Sequence, residues 1–208
     1  MVKVNSTKLS ILLGLFVSIL IAANLLSTKI TTFLGVSFSV GVIAFPLTFL
    51  ITDIVEEVYG KEKTKVFIKV GLISLIFILL YTTLAVNLPA ASRYDYNEEY
   101  KIIFGSSIRI MIASLLGFLA SQYNDLLTFN FIKKKTKGKF LWFRNNLSTI
   151  ISQFIDTTVF MFIAFYNITP KFDVSFIFSL IIPYWLLKIV IAIIDTPFCY
   201  LGVKWLRK

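Results

Sequence analysis

Ionisable side chains fall within or at the edge of long apolar stretches, among them Lys29, Asp53, Arg109, Asp125, Asp156, Lys188 and Asp195. In hydrocarbon such groups are costly unless paired or hydrated, and they mark substrate or ion pathways by default. The amides Asn24, Gln122, Asn124 and Gln153 accompany them. A passive bundle needs none of these groups, whereas a water-lined or substrate-lined cavity does. Counting about 1.5 Å per helical residue, Asp53 and Asp125 lie about 12 Å inward from Lys61 and Lys133, and Asp195 at a similar depth from Lys204. Asp156 and Lys188 fall near the middle of their spans, and Lys29 and Arg109 at outer ends. Acids thus favour one half of the membrane and cations the other, as expected if they line one polar cavity and partly neutralise each other. For Lys29 and Arg109 the structural alternative is that they reach to the surface along their own aliphatic stems.

Ser121-Gln122-x-x-Asp125 is repeated as Ser152-Gln153-x-x-Asp156. Residues three apart share a helix face, so each segment offers an amide beside a carboxylate, and the antiparallel arrangement of consecutive spans lets those faces meet. A carboxylate accepts two parallel N–H bonds and an amide both donates and accepts, a set suited to a planar, donor-rich heterocycle such as a guanine-like base. Interhelical adhesion is the structural alternative. In Phe45-Pro46-Leu47-Thr48-Phe49-Leu50-Ile51-Thr52-Asp53-Ile54-Val55-Glu56-Glu57-Val58-Tyr59-Gly60, Pro46 frees a carbonyl one turn earlier and bends the helix. Thr48 and Thr52 can bond back to the loosened turn. Asp53 and Glu56 share a face, and a bent helix carrying acids is a usual way to build a transporter site.

The elements that position these groups are six spans near 9–29, 36–57, 66–87, 108–131, 147–168 and 175–203. Each is long enough to cross about 30 Å of hydrocarbon. The apolar runs are continuous rather than alternating, which favours helices over a barrel. The last span is over-long and carries Pro183 and Pro197. The chain has 208 residues, 57% hydrophobic, with 21 Phe, against about 45–50% apolar in soluble domains. We expect an all-α polytopic membrane protein forming a single transmembrane domain, residues 1–208. Its first helix is uncleaved, because the apolar run from Ile11 continues past Ala22-Ala23 to about Thr28 and exceeds a signal core.

The net charge of +10 sits in loops. Lys3 and Lys8, then Lys61, Lys63 and Lys65, then Lys133, Lys134, Lys135, Lys137, Lys139 and Arg144, and finally Lys204, Arg207 and Lys208 all fall on one side of six crossings. The other side carries Arg93, Lys101 and Lys171. The rich side is the cytosol, with both termini in it, and the charge meets anionic lipid rather than nucleic acid. The loop from about 88 to 107, with Asp95, Glu98 and Glu99, reads as an outer segment that could hold a short interfacial helix. The absence of His removes most hydrolytic zinc sites and His-based triads, and the single cysteine, Cys199, cannot form an internal disulfide. No metal or cofactor is implied.

Together these segments resemble the queuosine precursor transporter family, formerly the vitamin uptake transporter family. The likeness is carried by Ala23-Asn24 with Lys29, by the run from Phe45 to Gly60, by the Arg109 to Asp125 span, by Trp142, Arg144 and Ser148 through Asp156, and by Lys188 with Thr196-Pro197. It covers nearly the whole chain. It implies six helices in the cytoplasmic membrane and import of 7-cyano-7-deazaguanine, 7-aminomethyl-7-deazaguanine or queuine for salvage into tRNA modification. The substrate-facing residues it implies are Asn24, Asp53, Glu56, Arg109, Gln122, Asp125, Gln153, Asp156 and Lys188. The acid pair Glu56-Glu57 departs from the pattern, since an uncharged polar residue is equally familiar there. The rival readings are an intramembrane protease, which lacks its histidines or a Gly-x-Gly-Asp stretch, a substrate-capture subunit of a multi-component vitamin or nucleobase importer, and a structural scaffold. Energy coupling and oligomeric state are not legible.

Overall fold

A computed structural model describes the chain at residues 6–33, 36–136 and 141–207. The outlying Lys3, Lys137, Lys139 and Lys208 of the charge analysis lie outside the described residues. So do the side chains of Asp53, Glu56, Lys61, Gln122, Asp125, Lys133, Trp142, Arg144, Ser148, Asp195 and Thr196, whose helices are described. The chain folds as α1 (Ser6–Leu26), β1 (Ile30–Phe33), β2 (Val36–Ser39), α2 (Gly41–Tyr59), α3 (Lys61–Asn87), α4 (Asn97–Lys135), α5 (Leu141–Phe165) and α6 (Val174–Arg207). It is a polytopic, helical membrane protein.

Among the described residues, three helical stretches are long and apolar enough to cross a membrane unaided: Ser6–Leu26, Glu62–Asn87 and Asn97–Ser121. Shorter apolar stretches, Gly41–Thr52, Ile150–Phe165 and Val174–Val190, lie in the other three helices. On α3, Ile73, Ile76, Phe77, Leu80 and Leu84 form an exposed stripe of large apolar side chains. At helical spacing, such a stripe on the outside is the inverse of a water-soluble surface helix.

The contacts gather into two units, residues 1–111 with 190–208, and residues 112–189. In the first, Leu12 and Phe16 of α1 meet Ile51, Ile54 and Val55 of α2, Phe67 of α3, and Val203 and Leu206 of α6 in one core. Phe16 and Phe67 pack as tilted rings 6.0 Å apart. Gly202 of α6 lies directly against Ile54, where no side chain would fit. Lys8 donates to the Trp205 carbonyl at 2.8 Å and sits 5.2 Å from its ring centroid, so the start of α1 and the end of α6 share one end of this unit.

Two expectations change here. The span expected from residue 36 begins as strand, because β1 and β2 pair antiparallel with Ile30 opposite Ser39 and Phe33 opposite Val36. The β-branched Ile30, Thr31, Thr32 and Val36 favour that pleat. Lys29 is consequently an exposed turn residue rather than the end of a helix. The outer loop is also shorter than expected. Helix α4 starts at Asn97 and carries Glu98 and Glu99 in its first turn, where acids complement the helix dipole.

The expected back-bonds in α2 are present: Thr48 donates to the Phe45 carbonyl at 2.6 Å and Thr52 to the Thr48 carbonyl at 3.3 Å. Helices α2 and α3 are joined by Gly60 alone, at φ 78° and ψ 173°, a region essentially reserved for glycine. Nothing crowds the position, so the strain of a side chain would be purely backbone. Gly60→Ala is expected to cost about 1–3 kcal/mol, read as a lower thermal midpoint in detergent, and an unchanged midpoint would refute the turn.

In the second unit, Ala113 of α4, Met161, Ala164 and Phe165 of α5, and Ile177 and Ile181 of α6 form the core. The α5–α6 turn closes with the Asn167 amide donating to the Phe172 carbonyl at 2.9 Å, with Asn167 at φ 56°. Asp173 then caps α6, its Oδ1 accepting the Phe176 amide at 2.8 Å. Replacing it by alanine should lower stability by about 1 kcal/mol, the usual cost of a lost N-cap, again measurable as a midpoint shift.

Candidate functional site

In the first unit the polar groups gather where α1 ends. Asn24 is fully buried. Its Nδ2 donates to the Leu20 carbonyl at 2.9 Å, while its Oδ1 has no partner among the described residues. Ser27 bonds the Ala23 carbonyl, and Ser39 of β2 donates to the Ser27 carbonyl at 2.7 Å and accepts the Gly41 amide at 3.3 Å. The hairpin is therefore stitched back onto α1 beside Asn24. Ser107 of α4, also fully buried, donates to the Leu25 carbonyl at 3.0 Å. Arg109 is half-buried two residues further along, so it does not share that face.

The second unit holds the clearest constellation. Lys188 of α6 donates to Asp156 Oδ2 of α5 at 2.6 Å, with side chains 28% and 22% exposed. Two expected site residues that are 32 positions apart thus form a cross-helix ion pair. On α4, Gly117 faces the same acid: a Cβ there would stand 3.0 Å from Asp156 Oδ1 and 3.1 Å from its carbonyl oxygen. Oδ1 is left uncovered by the missing side chain. One turn before Asp156, Gln153 buries an Oε1 that has no partner among the described residues, and Ser114 of α4 buries an Oγ in the same condition. Trp185, one turn before Lys188, donates to the Ile150 carbonyl at 3.2 Å and meets Phe154 edge-on at 5.5 Å.

The Gly117–Asp156 contact brings α4 against α5. Ser121 and Ser152, which open the two repeats, are both buried. Whether the Gln122 and Asp125 side chains meet those of Gln153 and Asp156 lies outside the described residues. Of the nine expected residues, Asp156 and Lys188 are in contact and Gln153 lies on their helix face. Asn24 and Arg109 belong to the other unit, and Asp53, Glu56, Gln122 and Asp125 have side chains outside the description. Gly117, Ser114 and Trp185 were not anticipated. The spacing Trp185-x-x-Lys188 was a readable signal, whereas a glycine or serine carries no chemical signature until its neighbour is known.

A family model described as "Putative vitamin uptake transporter" matches residues 39–202. A protein of Bacillus subtilis (strain 168) described as "Probable queuosine precursor transporter" is 29% identical over 196 residues, covering 92% of this chain and 84% of that protein. One of Haemophilus influenzae with the same description is 27% identical over 137 residues, covering 64% of this chain and 54% of that protein. No solved structure matches. With the family model spanning most of its length, the chain belongs to the family described as "Putative vitamin uptake transporter", and is a multi-pass membrane protein of that family.

Proposed function

We propose that this protein imports queuosine precursors (7-cyano-7-deazaguanine, 7-aminomethyl-7-deazaguanine or queuine) across the cytoplasmic membrane for salvage into tRNA modification. The observation that carries the reading is the Asp156–Lys188 pair, a charge-assisted contact at 2.6 Å between apolar helices. It is a recognition element that a passive bundle has no use for. The printed names of the relatives supply the substrate class. A flat, donor-rich base needs acids and amides along its route, and Asn24, Asp53, Glu56, Arg109, Gln122, Asp125, Gln153, Asp156 and Lys188 are the residues we assign to it. The chain acts as one transport domain by alternating access. It is a carrier and not an enzyme, with no cofactor and no nucleic-acid partner.

Both termini are assigned to the cytosol. Support comes from the Lys8–Trp205 contact, which agrees with an even number of crossings, and from the placement of the basic clusters along the sequence. A reporter fused after residue 208 should be active only as a cytosolic type. The transport reading is tested by salvage of labelled precursor in cells unable to make it. Expression of this chain should restore labelled modified tRNA, and no restoration at normal membrane levels would overturn the assignment. Uptake into vesicles holding this chain alone would exclude the obligate capture-subunit reading.

A further inference from the structure

Resting on the transport reading above, we infer that Gln153, Asp156 and Lys188 read the substrate edge in order, as acceptor, acceptor and donor, and so select a ring bearing an exocyclic amine, a ring N–H and a carbonyl side by side. Asp156 Oδ2 is occupied by Lys188 at 2.6 Å, and no other hydrogen bond to this carboxylate is seen among the described residues. Its Oδ1 is uncovered because position 117 has no side chain: a Cβ there would stand 3.0 Å away. Gln153 Oε1, one turn earlier on the same face, is buried without a partner. A buried, unpaired acceptor costs free energy unless something supplies a donor.

An ammonium has three N–H groups, so Lys188 keeps donors in reserve while it holds Oδ2. The three free functions therefore complement an amine, a ring N–H and a carbonyl without the ion pair having to break. Gly117 is then a specificity position, because it keeps the middle acceptor open. An adenine-type edge presents donor and acceptor in the wrong order, and a site built on hydrogen bonds rejects analogues that leave its buried groups unpaired.

The test is competition binding to the purified full chain in nanodiscs, using 7-deazaguanine, 7-deazahypoxanthine (no amine) and 2-amino-7-deazapurine (neither carbonyl nor ring N–H, so it reports on the Asp156 and Lys188 contacts together). Wild type should bind 7-deazaguanine at least tenfold more tightly than either analogue, the usual scale for one lost charge-assisted bond. Gln153→Met should collapse the amine preference to within twofold and keep the carbonyl preference. Lys188→Met should narrow the preference over 2-amino-7-deazapurine and keep the amine preference, and Gly117→Ala should weaken the two probes that carry a ring N–H while leaving 2-amino-7-deazapurine within twofold. If Lys188→Met is not recovered folded, Lys188→Gln, which keeps a neutral donor, should retain a reduced carbonyl preference. Variants that lower affinity for all three probes equally, or leave both ratios unmoved, overturn this assignment while the transport reading stands. A wild type that binds none of the probes overturns both.

Discussion

Neutralising either member of the central ion pair should abolish most uptake and lower stability, and neutralising both should restore stability alone. In Asp156→Asn the Lys188 ammonium loses its counter-ion, and in Lys188→Met the carboxylate does. Removing one partner of a fully buried pair costs about 3–5 kcal/mol, because a charge is left uncompensated. Here the side chains keep 22% and 28% of their exposure, so about 2 kcal/mol is a fairer figure after screening. The double variant Asp156→Asn/Lys188→Met removes both charges and so removes the penalty. Its thermal midpoint should return to within a few degrees of wild type, while labelled-base uptake stays at least tenfold down. Full uptake in Asp156→Asn at normal membrane levels would remove this residue from the substrate route. A double variant no more stable than the singles would mean that the pair is not electrostatic in origin.

How far the sequence alone could reach follows from which signals are chemical and which are steric. Asp156 and Lys188 stood out because an ionisable residue in an apolar run is anomalous wherever it packs; that acids and cations would partly neutralise each other was readable, but not which acid meets which cation. The threonine back-bonds in α2 were readable for a similar local reason: Thr48 and Thr52 carry hydroxyls that bond back within one turn. The hairpin was hidden because Val36 and Phe38 are as apolar as a span, and its alternation is too short to outweigh the helical pattern beside it. The start of α4 was passed over although Glu98 and Glu99 are an acidic first turn, a signal masked by the tyrosines and charges that also suit a loop. The close approach of α4 to Asp156 at Gly117 was unreadable in principle. Residue spacing gives the face of one helix, but the approach of a second helix rests on Gly117, whose meaning lies in the atoms opposite it.

A second glycine carries the largest expected steric effect. Gly41 opens α2 at the point where the hairpin returns to α1. A Cβ at this position would collide with Ser27 Oγ and stand 2.7 Å from the Ala23 carbonyl oxygen. The serine hydroxyl can rotate away, but the carbonyl belongs to the backbone of α1, so relief requires the helix or the hairpin to move. Overpacking of well-packed sites costs about 1–3 kcal/mol, and Gly41→Val adds two methyls beyond the Cβ at a backbone contact, placing it at or above the top of that range. The same shift would break the Ser39–Ser27 and Gly41–Ser39 hydrogen bonds and move the seat of Asn24. Gly41→Val should therefore lower the thermal midpoint by ten degrees or more in nanodiscs, with uptake falling further than the loss of folded protein explains. Gly14→Val is the matched control, since nothing lies near that position and the added side chain meets open space. Equal midpoints for the two variants would show that the hairpin is not fastened to α1 at Gly41.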